Sequence, residues 1–226
     1  MPAHPHTKLL AHLAPAAGAE SELAVCLAAL ADERARGGLA AASLWRLAHD
    51  PFGAKTPWRG TLELRGSEAE LLAGAMGLCE RLGALVDAAA STTLVGEERV
   101  LLPSERAPVR YQYLMRRRAD FSHAAYLARY LDVHAQFGLR TPGILGYVQL
   151  HVDPAASRRA ADASGFAVCD VDSVSELHLA SLAAFLGAIA GSTIGAEAVA
   201  DEERFVDRAR SFDFCSHVHW HEGRPA

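Results

Sequence analysis

The stretch Leu150-His151-Val152-Asp153-Pro154 has a counterpart in Leu47-Ala48-His49-Asp50-Pro51, 103 positions earlier in the chain. At both places a run of strand-like residues stops at Asp-Pro, because proline cannot donate the hydrogen bond that the interior of a sheet needs. Few residues are identical between the two surroundings, so the repeat rests on the order and spacing of elements. The pattern predicts two tandem copies of one structural unit.

The first unit has a β-α-β-β-α-β order. Its residue pattern predicts strands at 8–14, 42–49, 58–65 and 92–102, and leucines at three- and four-residue spacing predict a helix at 19–36. A second helix is predicted at 67–87, because Ser67 and Glu70 have the spacing of a capping box. Residues 103–108 contain two prolines and predict a linker.

The second unit repeats this order. Strands are predicted at 109–117, 144–152, 165–171 and 212–220, helices at 122–137 and 175–190, and a loop or short turn at 201–205. A sheet with both helices on one face leaves its other face bare, and a second sheet can cover that face. We therefore predict an α+β protein in which two tandem ferredoxin-like βαββαβ repeats, residues 1–103 and 109–226, form an intrachain dimeric α/β-barrel.

The composition is that of an ordinary globular protein, with 50% apolar and 22% charged residues. The net charge of -5 gives no electrostatic reason to bind nucleic acid or an anionic membrane. No apolar run reaches the roughly 18 residues that span a bilayer, and residues 1–8 lack the pattern of a signal peptide. We expect a cytoplasmic protein whose cysteines serve as small apolar residues.

Four stretches of the second unit, taken in order, resemble the EthD family. They are a strand ending in basic residues before a serine-capped helix (113–123), an aromatic residue followed shortly by His-Ala (130–135), a Pro-Gly turn followed by Tyr-Val-Gln-x-His (142–151), and a late Phe-Val-Asp (203–207). The first unit resembles the family only in architecture, as a degenerate repeat. The resemblance implies a dimeric α/β-barrel with a pocket between sheet and helices, and a small hydrophobic or aromatic ligand. Many proteins of the wider superfamily use no metal or organic cofactor, so none is expected here.

His134 is the predicted catalytic residue. It follows Tyr126 and Tyr130 at four-residue spacing, which places the three side chains in one stripe along a helix. A neutral imidazole can accept or donate a proton near neutral pH, and the family resemblance supports that role. The alternative is a partly buried histidine that only bonds to a backbone carbonyl. The same 103-residue offset places Ala31 at the equivalent position, so we expect one active site per chain.

Three polar side chains share one face of the strand at 144–152 and are predicted to line the pocket: Tyr147, Gln149 and His151. The apolar face should pack under the helices, so the polar face should turn into the barrel interior. Buried polar groups need partners, which are a ligand, water or one another. Arg46, opposite Gln149 by the repeat offset, is a candidate partner or a counter-charge for an acidic substrate. Tyr113 and Tyr130 complete the predicted substrate-binding set.

Two further groups of residues carry no predicted site. His217, His219 and His221 project to one side of the last strand, where two of them could chelate a transition metal. No acidic ligand stands at a fixed spacing from them, so no metal site is predicted. Asp132 points to a different side of its helix from His134 and is expected to be a solvated carboxylate.

Three functional hypotheses remain. The first is a cofactor-independent enzyme, a cofactor-free oxidoreductase or a lyase or isomerase, in which His134 transfers a proton on a small apolar, aromatic or polyketide-like compound. The second is a non-catalytic small-molecule binding or accessory protein in a degradation or biosynthesis pathway. The third is a haem-binding α/β-barrel, because some two-repeat relatives of this barrel hold haem through a histidine in the second half. A homodimer of the two-repeat chain is also compatible with the pattern.

Overall fold

The computed structural model describes residues 6–53, 56–104 and 106–221. The first half contains β1 (His6–Leu13), α1 (Glu20–Arg36), β2 (Ala40–Arg46), β3 (Gly60–Gly66), α2 (Glu68–Ala75), α3 (Leu78–Leu82) and β4 (Thr92–Leu102). The predicted β-α-β-β-α-β order is confirmed in this half, and Ser67 and Glu70 form the predicted capping box. The predicted second helix is interrupted, because Gly77 takes a left-handed conformation with φ of 67°.

The second half begins with β5 (Val109–Met115) and α4 (His123–Arg129), which continues through a π-helical segment (Tyr130–His134) into α5 (Ala135–Arg140). There follow β6 (Ile144–Val152), α6 (Pro154–Ser164), β7 (Ala167–Val168), β8 (Ser173–Leu179), α7 (Leu182–Ile189), α8 (Ile194–Glu202) and β9 (Phe212–His221). The predicted linker at 103–108 joins β4 to β5, and Glu105 within it lies outside the described residues.

The predicted strand at 165–171 contains only the two-residue β7, and the predicted helix at 175–190 begins too early. The third strand of this half is β8, and the following helix begins only at Leu182, after Ser181 caps it. The residues of β8 alternate, with Val174 in the apolar cluster of the barrel interior and Leu177 in a cluster under the helices. This two-residue period outweighs the helix-start signal of the serines at 173 and 175.

Helix α6, absent from the predicted order, begins where β6 ends. The Asp153 carboxylate accepts hydrogen bonds from the backbone N–H groups of Ala155 and Ala156. Pro154 occupies the first turn, where a missing N–H costs no helical hydrogen bond. The Asp-Pro pair that stops the strand is therefore also the start signal of a helix.

Eight strands close into a barrel. Their order is β1-β3-β2-β9-β5-β8-β6-β4, and β4 returns to pair with β1, while the short β7 pairs with the beginning of β4. Each half supplies four strands in ferredoxin-like order, β4-β1-β3-β2 and β9-β5-β8-β6. The two blocks join by antiparallel pairing of β2 with β9 and of β4 with β6. The predicted intrachain α/β-barrel is thus confirmed, whereas a homodimer of the chain stays a prediction.

Helices cover the outside of the barrel, and a separate apolar layer lies within it. Leucines and alanines of α1, α2, α3 and α6 pack against the outer face of the first block, where Leu9, Leu27 and Leu64 are buried. Inside the barrel, apolar residues from both halves meet in a second cluster, which includes Leu10, Trp58, Leu94, Leu150, Val174 and Phe214. Burial of both layers drives the two halves to associate.

A buried network of ion pairs shares the barrel interior. Lys8 Nζ lies 2.5 Å from Glu98 Oε1 and 2.7 Å from Glu176 Oε2, and the lysine side chain is fully buried. Because β1 and β8 are not neighbours in the barrel, the Lys8–Glu176 contact crosses the interior. Burial alone would raise the pKa of the carboxyls, but the neighbouring cations hold it below the ordinary value. The network consists of Lys8, Arg65, Arg110, Glu63, Glu98 and Glu176.

Among the described residues, no helix is by itself both long and apolar enough to cross a membrane. Helices α7 and α8 reach that length and composition only when taken together, and they are bent by 89° relative to each other. Both helices lie over the outer face of the second block, where they form a wall of a cavity.

Candidate functional site

A cavity of about 680 Å³ lies between the outer face of the second strand block and helices α5, α7 and α8. Side chains of β5, β6, β8 and β9 form its floor, and the helices supply mostly apolar walls. Phe52, from the first half, lines one side. The polar residues of the lining include Tyr111, Tyr113, His134, Tyr147, Glu202, Arg208 and Asp213.

The predicted aromatic stripe leads along the helix to this cavity. The rings of Tyr126 and Tyr130 stack with centroids 6.1 Å apart, and the rings of Tyr130 and His134 stack at 6.0 Å. Both tyrosines are fully buried, and His134 is 7% exposed. The stripe ends at the imidazole, which is the member of the three that lines the cavity.

An aspartate of α8 holds His134. The Nδ1 atom of His134 lies 3.0 Å from Asp201 Oδ2, and the other oxygen of this carboxylate accepts a hydrogen bond from Arg129. With the Nδ1 proton directed to the carboxylate, Nε2 keeps its lone pair. Burial lowers the pKa of His134 below its ordinary value, although Asp201 acts in the opposite direction. The imidazole is therefore neutral near pH 7 and oriented to accept a proton.

A second titratable group stands next to it. Glu202 Oε1 lies 3.9 Å from His134 Nε2, and Glu202 Oε2 lies 3.4 Å from Arg208 Nε. Burial raises the pKa of Glu202 to about 7; Arg208 opposes this shift, while Asp213 and Asp201 add to it. The cavity thus contains a carboxyl group that carries a proton for part of the time at neutral pH.

Two tyrosines of β5 extend the polar end of the cavity. Tyr111 donates a hydrogen bond of 3.0 Å to Asp213 Oδ2, and burial followed by the Asp213 charge raises its pKa. Burial and the Glu202 charge raise the pKa of Tyr113 to about 12, against the effect of Arg208. Both phenols therefore keep their protons. The Tyr111 proton is donated to Asp213, so Tyr113 is the phenol that can donate a hydrogen bond to a ligand.

The polar face of β6 points toward the helices, so its predicted orientation into the barrel interior is wrong. Gln149 Nε2 donates to the Tyr130 carbonyl at 3.1 Å and to Tyr147 Oη at 2.8 Å, and His151 Nε2 lies 3.0 Å from Gln149 Oε1. Leu150, on the opposite face, packs in the barrel-interior cluster. The helix buries the Tyr130 carbonyl against this sheet, and Gln149 on the polar face of the strand supplies its hydrogen bond.

The three β6 residues that were predicted to line the pocket lie in different places. Tyr147 lines the cavity, whereas Gln149 and His151 lie beside it. Gln149 bonds to both Tyr147 and His151. Burial, together with the charges of Arg99 and His123, lowers the pKa of His151 to about 4. His151 is consequently neutral and serves as a hydrogen-bond partner of Gln149.

Arg46 does not pair with Gln149, contrary to the prediction. Its guanidinium bonds to Asp50 Oδ2 at 3.0 Å and to the Thr56 carbonyl at 3.1 Å, and so fastens the segment that follows β2. Arg46 lies in β2 and Gln149 in β6, and these strands are not neighbours in the barrel. Asp132 is exposed, as expected.

The histidines of the last strand lie outside the cavity lining. The rings of His219 and His221 are 4.7 Å apart, and His221 Nε2 lies 2.9 Å from Ser43 Oγ. Within residues 6–53, 56–104 and 106–221, no group of three or more histidine, cysteine, aspartate or glutamate side chains is placed to hold a metal ion.

Sequence reasoning missed the acidic half of the site. Asp201 and Glu202 end α8, in a segment predicted as a loop or short turn, and Asp213 is the second residue of β9. The available signal was the pair of adjacent acidic residues that follows the apolar stretch 182–200, in which Glu197 is the one charged residue. Two adjacent acidic residues at the end of an apolar helix are as typical of an exposed helix terminus as of a buried site. Their position in the sequence therefore does not identify them as site residues.

The model of the EthD domain family matches residues 118–209. The match confirms the resemblance that the motifs of the second half predicted, and the matched segment contains His134, Asp201, Glu202 and Arg208. Tyr113 and Asp213 lie outside it. No curated protein sequence matches the chain.

Solved structures of low sequence identity share the fold over nearly the whole chain. An anthrone oxidase-like protein superposes with a TM-score of 0.63 at 12% identity, over 98% of this chain and 95% of that one. A candidate monooxygenase from Lactobacillus acidophilus NCFM gives 0.57 at 10% identity, over 97% of both chains. A chlorite dismutase from Candidatus Nitrospira defluvii, in complex with imidazole, gives 0.57 at 12% identity, over 93% and 90%. At these identities the likeness is one of fold.

Proposed function

We propose that this protein is a cofactor-independent enzyme that uses His134 to transfer a proton on a small, largely apolar compound of aromatic or polyketide-like type. The observation that carries the proposal is the His134–Asp201 pair, buried at the edge of a cavity with mostly apolar walls. A general base must be neutral, oriented and within reach of substrate. His134 meets the first two conditions by burial and by its bond to Asp201, and the third by lining the cavity.

The chemistry follows from the two ring nitrogens. When Nε2 takes a proton from a substrate C–H or O–H, the imidazole becomes a cation, and the Asp201 carboxylate next to Nδ1 stabilises it. Both side chains are largely buried, so this interaction is stronger than it would be in solvent. The phenol of Tyr113 can donate a hydrogen bond to an oxygen on which negative charge develops.

The walls support an aromatic ligand. Phe52, Phe137 and Phe185 line the cavity from three different segments, and Leu177 and Ile189 add aliphatic surface. Rings of this kind favour flat apolar molecules. The EthD match over residues 118–209 covers most of the polar site and agrees with the proposal. The solved structures of similar fold support the architecture, and the chemistry proposed here rests on the cavity itself.

The proposal is tested by proton exchange. Wild-type protein, free of added metal or cofactor, is incubated in D₂O with 2-tetralone and with anthrone, two aromatic ketones that carry acidic methylene protons. NMR follows loss of the methylene signal, and mass spectrometry detects any oxidised product. We expect exchange above the buffer rate in wild type, a loss of about 100-fold in His134→Gln, and no change in the control His49→Gln, whose side chain is exposed. Equal exchange by wild type and His134→Gln would contradict the proposal.

A binding protein without catalysis is the second candidate. His134 also packs against Phe137 and Phe205, with ring centroids 5.3 Å from each, which is the environment of a structural histidine. This candidate predicts that both ketones bind with unchanged exchange rates. Isothermal titration with the same two compounds, carried out beside the exchange measurement, separates binding from turnover.

Haem does not fit the residues of the cavity. The Nε2 atom that would bind iron faces the Glu202 carboxylate at 3.9 Å. Arg208 is the one cation among the described residues that line the cavity, and it is already paired with Glu202. Two propionates would meet the acidic side chains of Glu202 and Asp213. We expect no Soret band when haemin is added to the purified protein.

A further inference from the structure

His134 and Glu202 line the same cavity from different elements, the π-helical segment and the end of α8. Nε2 of the first and Oε1 of the second are 3.9 Å apart, and both side chains are about nine-tenths buried. A second residue orients each of these side chains: Asp201 bonds to His134, and Arg208 pairs with Glu202. A carbonyl oxygen and the carbon next to it are two bonds apart, so a ketone placed between the two groups can contact both.

We propose that Glu202 is a second catalytic residue, which gives a proton to the carbonyl oxygen of a neutral aryl ketone while His134 takes one from the adjacent carbon. The substrate class of the site is then a ketone with an acidic C–H, and the product is its enol. This inference rests on the proposed function and adds to it the acid and the kind of substrate.

The step is balanced without an external oxidant. His134 Nε2 accepts the proton of the C–H bond, and the electron pair of that bond forms the carbon–carbon double bond of the enol. The π electrons of the carbonyl move to oxygen, which takes the proton of the Glu202 carboxyl. Afterwards His134 is an imidazolium and Glu202 a carboxylate. After the step, His134 gives one proton to solvent and Glu202 takes one from solvent, which restores both groups.

The surroundings of Glu202 explain why it can act as an acid. On its own helix it faces Asp201; from the other elements it faces His134, Arg208, Asp213 and the phenols of Tyr113 and Tyr147. Burial and the two aspartates favour the protonated carboxyl, and Arg208 opposes them. Its pKa of about 7 keeps a proton available at neutral pH, whereas an exposed glutamate would have lost it.

The same charges select against acidic substrates. Glu202 and Asp213 stand at the polar end of the cavity with one cation, Arg208, between them. A substrate carboxylate placed there would face two acidic side chains in a largely buried site, which is unfavourable. A neutral ketone has no such penalty, and its oxygen can accept hydrogen bonds from Glu202 and Tyr113.

The test is the pH dependence of 2-tetralone exchange, with the hydroxide-catalysed rate subtracted. For wild type we expect a rate that is highest below pH 7 and falls above it, as Glu202 loses its proton. Glu202→Gln should lower the rate at pH 6.5 by about 100-fold and remove the fall above pH 7. Glu203→Gln, the exposed neighbour on the same chain segment, is the matched control and should keep the wild-type profile.

A second variant keeps the inference testable if Glu202→Gln does not fold. Arg208→Gln removes the cation that opposes protonation of Glu202, so the fall in rate should move to higher pH. Loss of activity in His134→Gln together with a wild-type rate and profile in Glu202→Gln would overturn this inference and leave the proposed function standing. No exchange by wild-type protein would overturn both.

Discussion

The Nδ1 atom of His134 lies 3.0 Å from Oδ2 of Asp201, although 67 positions separate the two residues in the chain. The helix that carries His134 changes to π-helical winding over its last five residues before α5, and α8 ends at the same place on the other side of the cavity. A π-helical turn in an α-helix is costly and is commonly found at functional sites. In this protein the π-helical segment ends at His134, whose imidazole bonds to the Asp201 carboxylate.

The first prediction concerns this pair. Asp201→Asn should lower the exchange of 2-tetralone by roughly 10- to 100-fold, because an amide neither orients the neutral imidazole in one tautomer nor stabilises its cation. Since Asp201 raises the pKa of His134, its loss should also lower that pKa further. Exchange kinetics and an NMR titration of the histidine ring measure the two effects separately.

Asp132→Asn is the matched control for that change. Asp132 precedes His134 by two residues but is exposed, so the same chemical substitution should leave rate and titration unchanged. If both variants behave alike, the effect of Asp201→Asn is a general loss of charge, and the orienting role assigned to Asp201 is wrong.

The second prediction concerns a glycine of the helix wall that lies against the cavity floor. A Cβ added to Gly138 in α5 would lie 2.4 Å from the ring of Tyr147, which is held by its bond to Gln149. Gly138→Ala should therefore destabilise the protein by about 1–3 kcal/mol, or push the tyrosine into the cavity and weaken ligand binding. Urea unfolding and titration with 2-tetralone measure the two outcomes.

Gly187 in α7 gives the opposite expectation and serves as the control. An added Cβ there meets no atom within 4 Å. Gly187→Ala should stabilise the protein by about 0.5–1 kcal/mol, because alanine loses less backbone freedom on folding. Equal effects at the two positions would mean that Tyr147 is free to move, and that the floor of the cavity is not rigid.

The local signals of the sequence were sufficient for the barrel. The structure contains two successive sets of four barrel strands, as predicted. It also contains the predicted Ser67–Glu70 capping box and the strand at 144–152. The errors arose where two local signals compete. Serines at 173 and 175 suggest a helix start while the same residues alternate as a strand, and the packing of β8 between β5 and β6 decides in favour of the strand.

The candidate site was less predictable, for a physical reason. The stripe that ends at His134 follows from helical spacing, but its partners Asp201 and Glu202 come from an element that contacts it only after folding. Alternation along β6 did not decide which way its polar face points, because both sides of the sheet contain polar groups. The barrel interior contains Lys8 and three glutamates as well as apolar residues, and the helix side contains the Tyr130 carbonyl to which Gln149 bonds.

The third prediction concerns that interior network. Lys8→Met leaves three buried carboxylates, Glu63, Glu98 and Glu176, with fewer cations to compensate them, so we expect a loss of about 3–5 kcal/mol in the free energy of unfolding. Arg36→Met is the control, because its pair with Asp32 is largely exposed and should contribute less than about 0.5 kcal/mol. Urea denaturation at pH 7 compares them. A Lys8 variant as stable as the control would show that the carboxyls take up protons and need no cation.

The fourth prediction concerns His12, which is fully buried between strands, stacks on Trp58 and bonds to Thr61 Oγ1 at 2.9 Å. Burial lowers its pKa to about 3, against the opposing effect of Glu176. Between pH 6.5 and 3 the unfolded chain binds a proton at this position and the folded chain does not. The free energy of unfolding contributed by His12 is therefore complete above pH 6.5 and declines as the pH falls.

Each pH unit in that window corresponds to about 1.4 kcal/mol for one such group. His12→Gln removes the titration while keeping a side chain that can bond to Thr61, so the slope of unfolding free energy against pH, measured in urea between pH 6.5 and 4.5, should decrease by roughly 1 kcal/mol per pH unit. His49→Gln, at an exposed position, should keep the wild-type slope. The slope is the decisive quantity, since a change of packing lowers stability equally at every pH. A His12 variant with the wild-type slope would mean that the imidazole becomes charged inside the barrel, close to the glutamates of the ion network.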